Sequence, residues 1–403
     1  MSTGALLQLV AQGFMDKNLV APLGIENTRA STSMLHTIFK KRTPYAIQTL
    51  EIDLPLEPSF GEKVTCTIPR KGDVLSKMYL EITLKKGSGA TYYPAEAFME
   101  EAELSIGPNI IERHTGEYLR VRSEIFHTLD QKIGYRRLTD FADGEPAGSI
   151  KTFWLPLAWF FCEKPLPLIS LPHQALTLSF TFAREVRGID MTWTPRVKLW
   201  ADYAFLSADE RKVFGSAEFE MPITQLQIQE ERVQQFGSIK KTKLFFNHSV
   251  RWLAWTCSST ERHGKFTGGV EGETNESLSP LKKATLYFNG HERISMPATY
   301  FGVLQPFIST GGAPCAGVYY YPFTLEPRDV TVAGGSANFS RIDTPLLELT
   351  FKTINDDAES AWDLASENET VANSGKLDRL RIYASTWNIL RFSQGECAIA
   401  YTN

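Results

Sequence analysis

The chain has 403 residues, an apolar fraction of 43% and a formal net charge of -4 at neutral pH. The apolar fraction excludes general disorder, and the slightly acidic balance provides no basic surface for nucleic acid, so we predict no direct nucleic-acid contact. A chain of this length is expected to divide into two domains.

The first predicted element is a short amphipathic arm. Leu6, Val10 and Phe14 lie on one face at helical spacing. The segment has no basic start, so it does not resemble a signal peptide, and it lacks the Lys and Arg that favour anionic lipid. We therefore expect the arm to pack on its own domain or on a neighbouring subunit. No later segment reaches the length of apolar chain that spans a bilayer.

From about residue 45 the pattern changes to short strands separated by turn-rich loops. After Leu380, apolar and polar residues alternate, as in a strand with one buried face. Comparable strands are predicted at Val64–Ile68, Lys77–Leu84, Leu176–Phe182, Val197–Phe205, Gln225–Gln229, Val250–Thr256, Ala284–Phe288, Val318–Phe323, Leu346–Phe351 and Ala398–Tyr401. Many short strands with intervening Gly and Pro favour an all-β fold, and the length suits two tandem eight-stranded antiparallel jelly rolls.

Two segments of the first half are echoed in the second half. Ala102–Ile106 is similar to Ala284–Phe288, and Val197–Asp202 is similar to Leu380–Ser385. Both echoes are offset by about 180 residues, which is the length of one compact domain. The sequence therefore predicts a tandem duplication. The predicted divisions are an N-terminal arm and lead-in (1–44), a first jelly roll (45–206), a linker (207–217) and a second jelly roll (218–403).

Two loops of the second half are long and polar, at Ser258–Pro280 and Asn355–Lys376. Loops of this length are uncommon inside compact domains and tend to be functional or mobile. The acidic stretch from Asp356 to Glu369 lacks the ordered spacing of a calcium loop, so we interpret it as a solvated outer loop.

No segment carries a motif with catalytic spacing. The sequence lacks a G-x-S-x-G elbow, an H-E-x-x-H pair and a phosphate-binding glycine loop. No two of the five cysteines have metal-ligand or redox spacing, so we expect free and mostly buried thiols. His114 and Glu117 could supply two metal ligands, but we interpret them as a surface loop pair. We predict no catalytic residue, metal site or cofactor.

Aromatic residues and one turn complete the candidate structural positions. Asn289 and Gly290 follow a predicted strand and indicate a tight turn, because Gly tolerates positive φ. The tryptophans expected to serve as core or subunit-interface anchors, rather than as sugar platforms, are Trp154, Trp159, Trp252, Trp255 and Trp387.

One hexapeptide carries a family resemblance. Asn338–Asp343, preceded by Tyr320–Pro327, resembles the second-domain signature of the major capsid proteins of nucleocytoplasmic large DNA viruses, which include iridoviruses and phycodnaviruses. Further matches to that family occur in order along the chain at Lys41–Ala46, Ile68–Asp73, Trp154–Cys162, Phe205–Arg211, Phe288–Arg293 and Leu390–Gly395. Ordered matches across both halves are more specific than any one motif.

We predict structural rather than catalytic roles for the signature residues. The residues concerned are Asn338, Phe339, Ser340, Arg341, Ile342 and Asp343, together with Asn289 and Gly290. Phe339 and Ile342 are expected to face the core. Arg341 and Asp343 are expected to tie loops together by charge-assisted hydrogen bonds.

The same resemblance implies a function. Family members have a double jelly roll, and three copies form a trimer whose six similar domains give a pseudo-hexagonal capsomer of an icosahedral shell. Implied partners are further copies of the chain, neighbouring capsomers, and minor capsid and penton proteins, with indirect apposition to an inner membrane. The implied location is the virion, after assembly in the host cytoplasm.

Two other classes of function stay open. A carbohydrate-binding protein of two β-sandwiches would use exposed aromatic residues and long loops to hold glycans. A hydrolase or cupin-like enzyme would need a metal or a paired-carboxylate site.

Overall fold

In the computed structural model the chain forms, from Tyr45 onward, mainly antiparallel strands. The structure describes residues 45–401 apart from 56, 90, 92, 143, 217, 233–238, 259–280, 313, 316, 331–333 and 352–378. The predicted N-terminal arm, the acidic stretch and nearly all of the two long loops lie outside the described residues. Within those described ranges, the helices are too short or too polar to cross a membrane.

The strands of the first half form two sheets around a common core. These strands are β1 (Tyr45–Ile52), β2 (Lys63–Thr67), β3 (Val74–Lys85), β4 (Met99–Ile106), β5 (Asn109–Thr115), β6 (Ile150–Pro156), β7 (Leu166–Pro167), β8 (Leu176–Phe182) and β9 (Arg196–Leu206). One sheet has the order β1-β9-β3-β6, with β7 beside β3, and the other has the order β2-β8-β4-β5. In β8, buried and half-buried residues alternate strictly because one face lines the core.

The strands of the second half are arranged in the same way. They are β10 (Phe219–Arg232), β11 (Ile239–Lys243), β12 (Ser249–Ser258), β13 (Leu281–Phe288), β14 (His291–Pro297), β15 (Val318–Pro322), β16 (Ala337–Asn338), β17 (Pro345–Phe351), β18 (Arg379–Ser393) and β19 (Glu396–Ile399). The sheet orders are β10-β18-β12-β15, with β16 beside β12 and β19 beside β18, and β11-β17-β13-β14.

The two halves share one strand order, and in each half the first long strand lies beside the last. This is the arrangement of an eight-stranded jelly roll, so the predicted double jelly roll is confirmed. The echoed segments occupy equivalent strands. Ala102 and Ala284 lie in β4 and β13, whereas Val197 and Leu380 lie in β9 and β18. The duplication detected in the sequence is therefore also a duplication of the fold.

Short helices connect the strands. They are α1 (Pro94–Phe98), α2 (Gly116–Phe126), α3 (Leu129–Thr139), α4 (Phe160–Glu163), α5 (Ala208–Ser216) and α6 (Gln305–Thr310), and a π-helical turn (Tyr300–Leu304) leads directly into α6. The α5 helix occupies most of the predicted linker. The domain limits stay predictions, because the chain from Tyr45 onward packs as one compact unit.

The sheet β10-β18-β12-β15 is covered on both faces. Leu253 and Trp255 point into the second jelly roll, whereas Trp252 and Ala254 belong to the core of the first. A sheet buried on both faces has nearly continuous apolar strands rather than alternating ones, which accounts for the run Trp252–Cys257. The two jelly rolls are thus joined by a shared apolar layer.

Candidate functional site at the junction of the two jelly rolls

Helix α2 of the first jelly roll lies against the second. The helix begins at Gly116, where a Cβ atom would collide with the backbone oxygens of Glu96 and Met99, so the close approach requires glycine. The Thr115 hydroxyl caps the helix by accepting the N–H of Tyr118 (3.3 Å). This start places the next residue, Glu117, in the first turn, where the helix dipole favours a carboxylate.

The Glu117 carboxylate is buried and binds groups of the second jelly roll. Its Oε2 accepts hydrogen bonds from Arg379 Nη2 (2.9 Å) and Arg381 Nη1 (2.7 Å). Its Oε1 accepts from Thr256 Oγ1 (2.8 Å) and the Tyr383 hydroxyl (3.3 Å). One carboxylate therefore connects α2 to both β12 and β18.

The environment of Arg381 shows how this buried charge is tolerated. Burial alone would lower the pKa of Arg381, but Glu117 and Glu230 raise it above its ordinary value. Glu230 is a second acceptor, 2.7 Å from Arg381 Nε. The guanidinium consequently stays charged and paired, as a buried ion must be to avoid a large desolvation cost.

The interpretation of His114 and Glu117 as a surface loop pair is wrong. Both side chains are buried, because β5 and the start of α2 run beneath the second jelly roll. The His114 ring stacks on Trp159 at 4.5 Å between centroids, and its Nε2 lies 2.9 Å from Glu112 Oε1. Over the described part of the chain, no group of three or more His, Cys, Asp or Glu side chains could hold a metal ion.

Aromatic contacts extend the junction along α2. Phe126, in the last turn, packs against Trp252 (5.5 Å between ring centroids) and Tyr320 (5.8 Å). Near the first turn, Tyr118 packs against Tyr383 (5.6 Å). These rings bury a large apolar area on both sides of the junction, so the relative position of the jelly rolls depends on packing as well as on charge.

The tryptophan predictions differ in outcome. Trp159, Trp252 and Trp255 are buried, which confirms them as anchors within the chain. Trp154 is 37% exposed on the outer face of β6, where its ring lies 6.2 Å from that of Trp200, so it is not a core anchor and its role at a subunit interface stays a prediction.

A buried ionic cluster holds α2 against α1 and α3. Arg120 lies 3.0 Å from Asp140 Oδ2 and 3.5 Å from Glu96 Oε1, and Lys132 lies 2.9 Å from Glu124 Oε2. Burial raises the pKa of Glu96 to about 7, although Arg120 acts in the opposite direction. Glu96 is therefore partly protonated near neutral pH in the folded chain.

This shift predicts a pH dependence of stability. Unfolded Glu96 ionises at its ordinary pKa, 4.5, and the folded group at about 7, so its contribution to stability falls as the pH rises between those values. The Glu96→Gln variant has no carboxyl group at this position, so this contribution to the pH dependence of stability is absent from it. We expect the difference in free energy of unfolding, Glu96→Gln minus wild type, to increase from pH 5 to pH 8 in denaturant titrations. A difference that stays constant over this range contradicts the assignment, and Glu220→Gln, at an exposed glutamate, is the matched control.

The signature residues begin with a capped 3₁₀ turn, Phe339–Arg341, after β16. Asn338 Oδ1 accepts the N–H of Ser340 (3.1 Å), and Ser340 Oγ accepts the N–H of His248 (2.8 Å). Phe339 is buried, and its ring lies 5.6 Å from that of Phe288. The turn is thus anchored both by hydrogen bonds and by the core of the second jelly roll.

The structure brings Asn289 and Gly290 next to this segment. Both residues have positive φ, 52° and 80°, and they form the tight turn between β13 and β14. Asn289 Oδ1 accepts the N–H groups of Asp343 (2.9 Å) and Thr344 (3.2 Å). The turn therefore holds the end of the signature through backbone donors.

The remaining signature side chains are arranged differently. Ile342 is half-buried against the core of the second jelly roll. Arg341 and Asp343 are exposed, and across the described ranges their side chains make none of the expected charge-assisted hydrogen bonds. The loop connection runs through Asn289 instead.

The turn yields a stability prediction. Gly290→Val forces a β-branched residue into a left-handed conformation, which costs about 1–2 kcal/mol although no atom lies within 4 Å of the added Cβ. We expect a loss of that size in denaturant unfolding. Gly134→Val is the matched control, since Gly134 is exposed in α3, has no atom within 4 Å and adopts no positive φ. Equal stability of the Gly290 variant and wild type contradicts the requirement for glycine.

Together, the duplicated fold and the buried junction define a class. Jelly rolls occur in viral capsid proteins and also in lectins and cupins, so a duplicated jelly roll without a metal cluster in its described residues is compatible with a capsid subunit. The comparisons with known proteins agree. Residues 33–207 match the family model described as major capsid protein N-terminus, and residues 210–398 match the one described as large eukaryotic DNA virus major capsid protein.

The major capsid protein of Paramecium bursaria Chlorella virus 1 is 33% identical over 99% of this chain and 100% of its own length. A structure titled PBCV-1 virus capsid, quasi-atomic model, has a TM-score of 0.84 at 32% identity, covering 92% of this chain and 100% of that one. The Faustovirus major capsid protein has the same fold, with a TM-score of 0.66 at 11% identity over 91% and 93% of the two chains. The chain belongs to the major capsid proteins of large eukaryotic DNA viruses, which are virion components.

Proposed function

We propose that the chain forms homotrimers whose six jelly rolls make pseudo-hexagonal capsomers, and that these capsomers tile an icosahedral shell. The observation that supports this proposal most strongly is the occurrence of the same jelly roll twice in one rigidly packed chain. Three such chains around an axis place six similar domains in a ring, which can present near-equivalent edges to every neighbour.

The proposal extends to location and partners. It includes contacts with neighbouring capsomers, with minor capsid and penton proteins, and an indirect apposition to an inner membrane, after assembly in the host cytoplasm. It assigns no catalytic activity and no cofactor. In support, burial raises the pKa of the Cys66 thiol to about 11 and that of Cys257 to about 12, so neither is a thiolate nucleophile at neutral pH.

Size-exclusion chromatography with light scattering tests the trimer. The chain has a mass of 45.3 kDa, so the expected particle has about three times that mass, about 136 kDa. Concentration-independent elution at this mass supports the capsomer. A stable monomer at all accessible concentrations would overturn it, and binding of that monomer to a glycan array would favour the carbohydrate-binding alternative.

A further inference from the structure

The helical segment after β14 is the counterpart of α2. Strands β5 and β14 have equal lengths. They lie 182 residues apart in the sequence, which is also the offset between Ala102 and its echo Ala284. The same alignment pairs Arg122 with Leu304 and Phe126 with Ile308. Phe126 packs on the second jelly roll, and Arg122 lies in the same junction. The second jelly roll therefore carries its own version of the helix that joins the two halves.

In the second jelly roll this helix presents an apolar face to solvent. Val303 and Leu304 are 40% and 45% exposed, and Phe307 and Ile308 are 68% and 67% exposed. Their spacing, i, i+1, i+4 and i+5, places them on one side of the π-helical turn and α6. A contiguous exposed apolar patch of this kind marks a protein contact. We call these four residues the helix face.

Helix α2 docks on the outer face of β18, β12 and β15, where Tyr383 and Val318 are buried. The first jelly roll has the equivalent surface on β9, β3 and β6. In β9, Trp200 is the counterpart of Tyr383, because β9 is the sequence echo of β18. In β6, Trp154 is the counterpart of Val318, because the two residues hold the same position in the register of their sheets. The chain thus contains a second receiving surface for a helix of this type.

Among the residues that the structure describes, this second receiving surface is partly exposed. The rings of Trp154 and Trp200 lie 6.2 Å apart, Trp154 is 37% exposed, and Trp200 Nε1 donates to Glu81 (2.7 Å). On β1 of the same sheet, the side chain of Ile47 is 60% exposed and points to the same side as Trp200, because Ile47 lies opposite Ala204, which is four residues from Trp200 along β9. We call Ile47, Trp154 and Trp200 the sheet face.

We propose that the helix face of one copy docks on the sheet face of the next copy, repeating between chains the contact that α2 makes within a chain. The inference rests on the proposed homotrimer and identifies its interface. The occupant is a second copy, because the chain already contains this type of helix docked on an equivalent sheet, and within the described ranges the helix face and the sheet face of one copy do not contact each other or another helix of this type. Such a contact joins two different surfaces, so it must close into a ring or extend without limit.

Single substitutions in each face test the assignment. Ile308→Asp and Trp154→Asp each place a charge in the contact, and we expect either variant to elute as a monomer where wild type is a trimer. The matched control is Leu129→Asp, since Leu129 is 74% exposed on α3 and lies outside both faces. This control should remain trimeric. Circular dichroism and thermal unfolding of each variant verify that the chain still folds.

Mixing the two monomeric variants gives a sharper result. An Ile308→Asp copy keeps its sheet face, and a Trp154→Asp copy keeps its helix face, so one intact contact can form but no ring can close. We expect a heterodimer of about twice 45.3 kDa. A trimer formed by either folded single variant overturns the assignment of faces while the homotrimer stands. A mixture that stays monomeric also overturns the assignment, and a monomeric wild type overturns both proposals.

Discussion

Glu117→Ala is expected to lower the free energy of unfolding by about 3–5 kcal/mol, the usual cost of removing one partner from a buried ion pair. The substitution takes away the carboxylate shared by Arg379 and Arg381 and leaves the Thr256 hydroxyl without this acceptor. The Glu117 side chain is 5% exposed and those of the two arginines are 15% exposed, so solvent can replace the lost bonds only in part. Denaturant titration at neutral pH measures the effect.

The control for this variant is Glu220→Ala. Glu220 pairs with Arg391 at 2.8 Å, but both side chains are more than half exposed, so the loss should be about 0–1 kcal/mol. If Glu117→Ala costs no more than this control, the ionic network does not stabilise the junction.

Trp252→Ala is expected to cost about 3–5 kcal/mol, because it leaves a large cavity between the jelly rolls. Trp252 is buried. It lies in β12 of the second jelly roll, but its side chain belongs to the core of the first and contacts Phe126 and Tyr320. Unfolding should remain a single transition, because the shared core couples the two halves.

The comparison variant is Phe245→Ala, whose side chain is mostly exposed, and its expected loss is below about 0.5 kcal/mol. Two separate transitions in the wild type, or a loss under about 1 kcal/mol for Trp252→Ala, would mean that the jelly rolls fold independently and that the junction adds little.

Much of the fold was predictable because strands with one buried face alternate in sequence. Strand β8 coincides with the predicted Leu176–Phe182, and β17 differs from its prediction by one residue. The duplication was predictable because β4 and β9 retain recognisable counterparts in β13 and β18. Within β12, the apolar run also indicated a strand, although it could not reveal which structure covers each face.

The junction was not predictable, and β18 shows why. Arg379 and Arg381 flank the buried Leu380 at alternate positions, which is the pattern of a strand with one polar face in solvent. That face is instead covered by the first jelly roll, and its charges are neutralised by Glu117, more than 260 positions away in the chain. Alternation of polar and apolar residues identifies the two faces of a strand, but it does not show what covers the polar face. Helix α2 was missed because it is short and its buried face includes polar residues such as Arg120 and Glu124.

A cryo-electron microscopy reconstruction of the purified oligomer tests the central claim most directly, namely that one type of contact between jelly rolls is used both within and between chains. We expect a ring of six jelly rolls with alternating, nearly equivalent junctions, in which Phe126 lies beside Trp252 and Tyr320 within a chain and Ile308 lies beside their counterparts Lys77 and Pro156 between chains. A ring in which the helix face is exposed or contacts a surface other than the sheet face would contradict it.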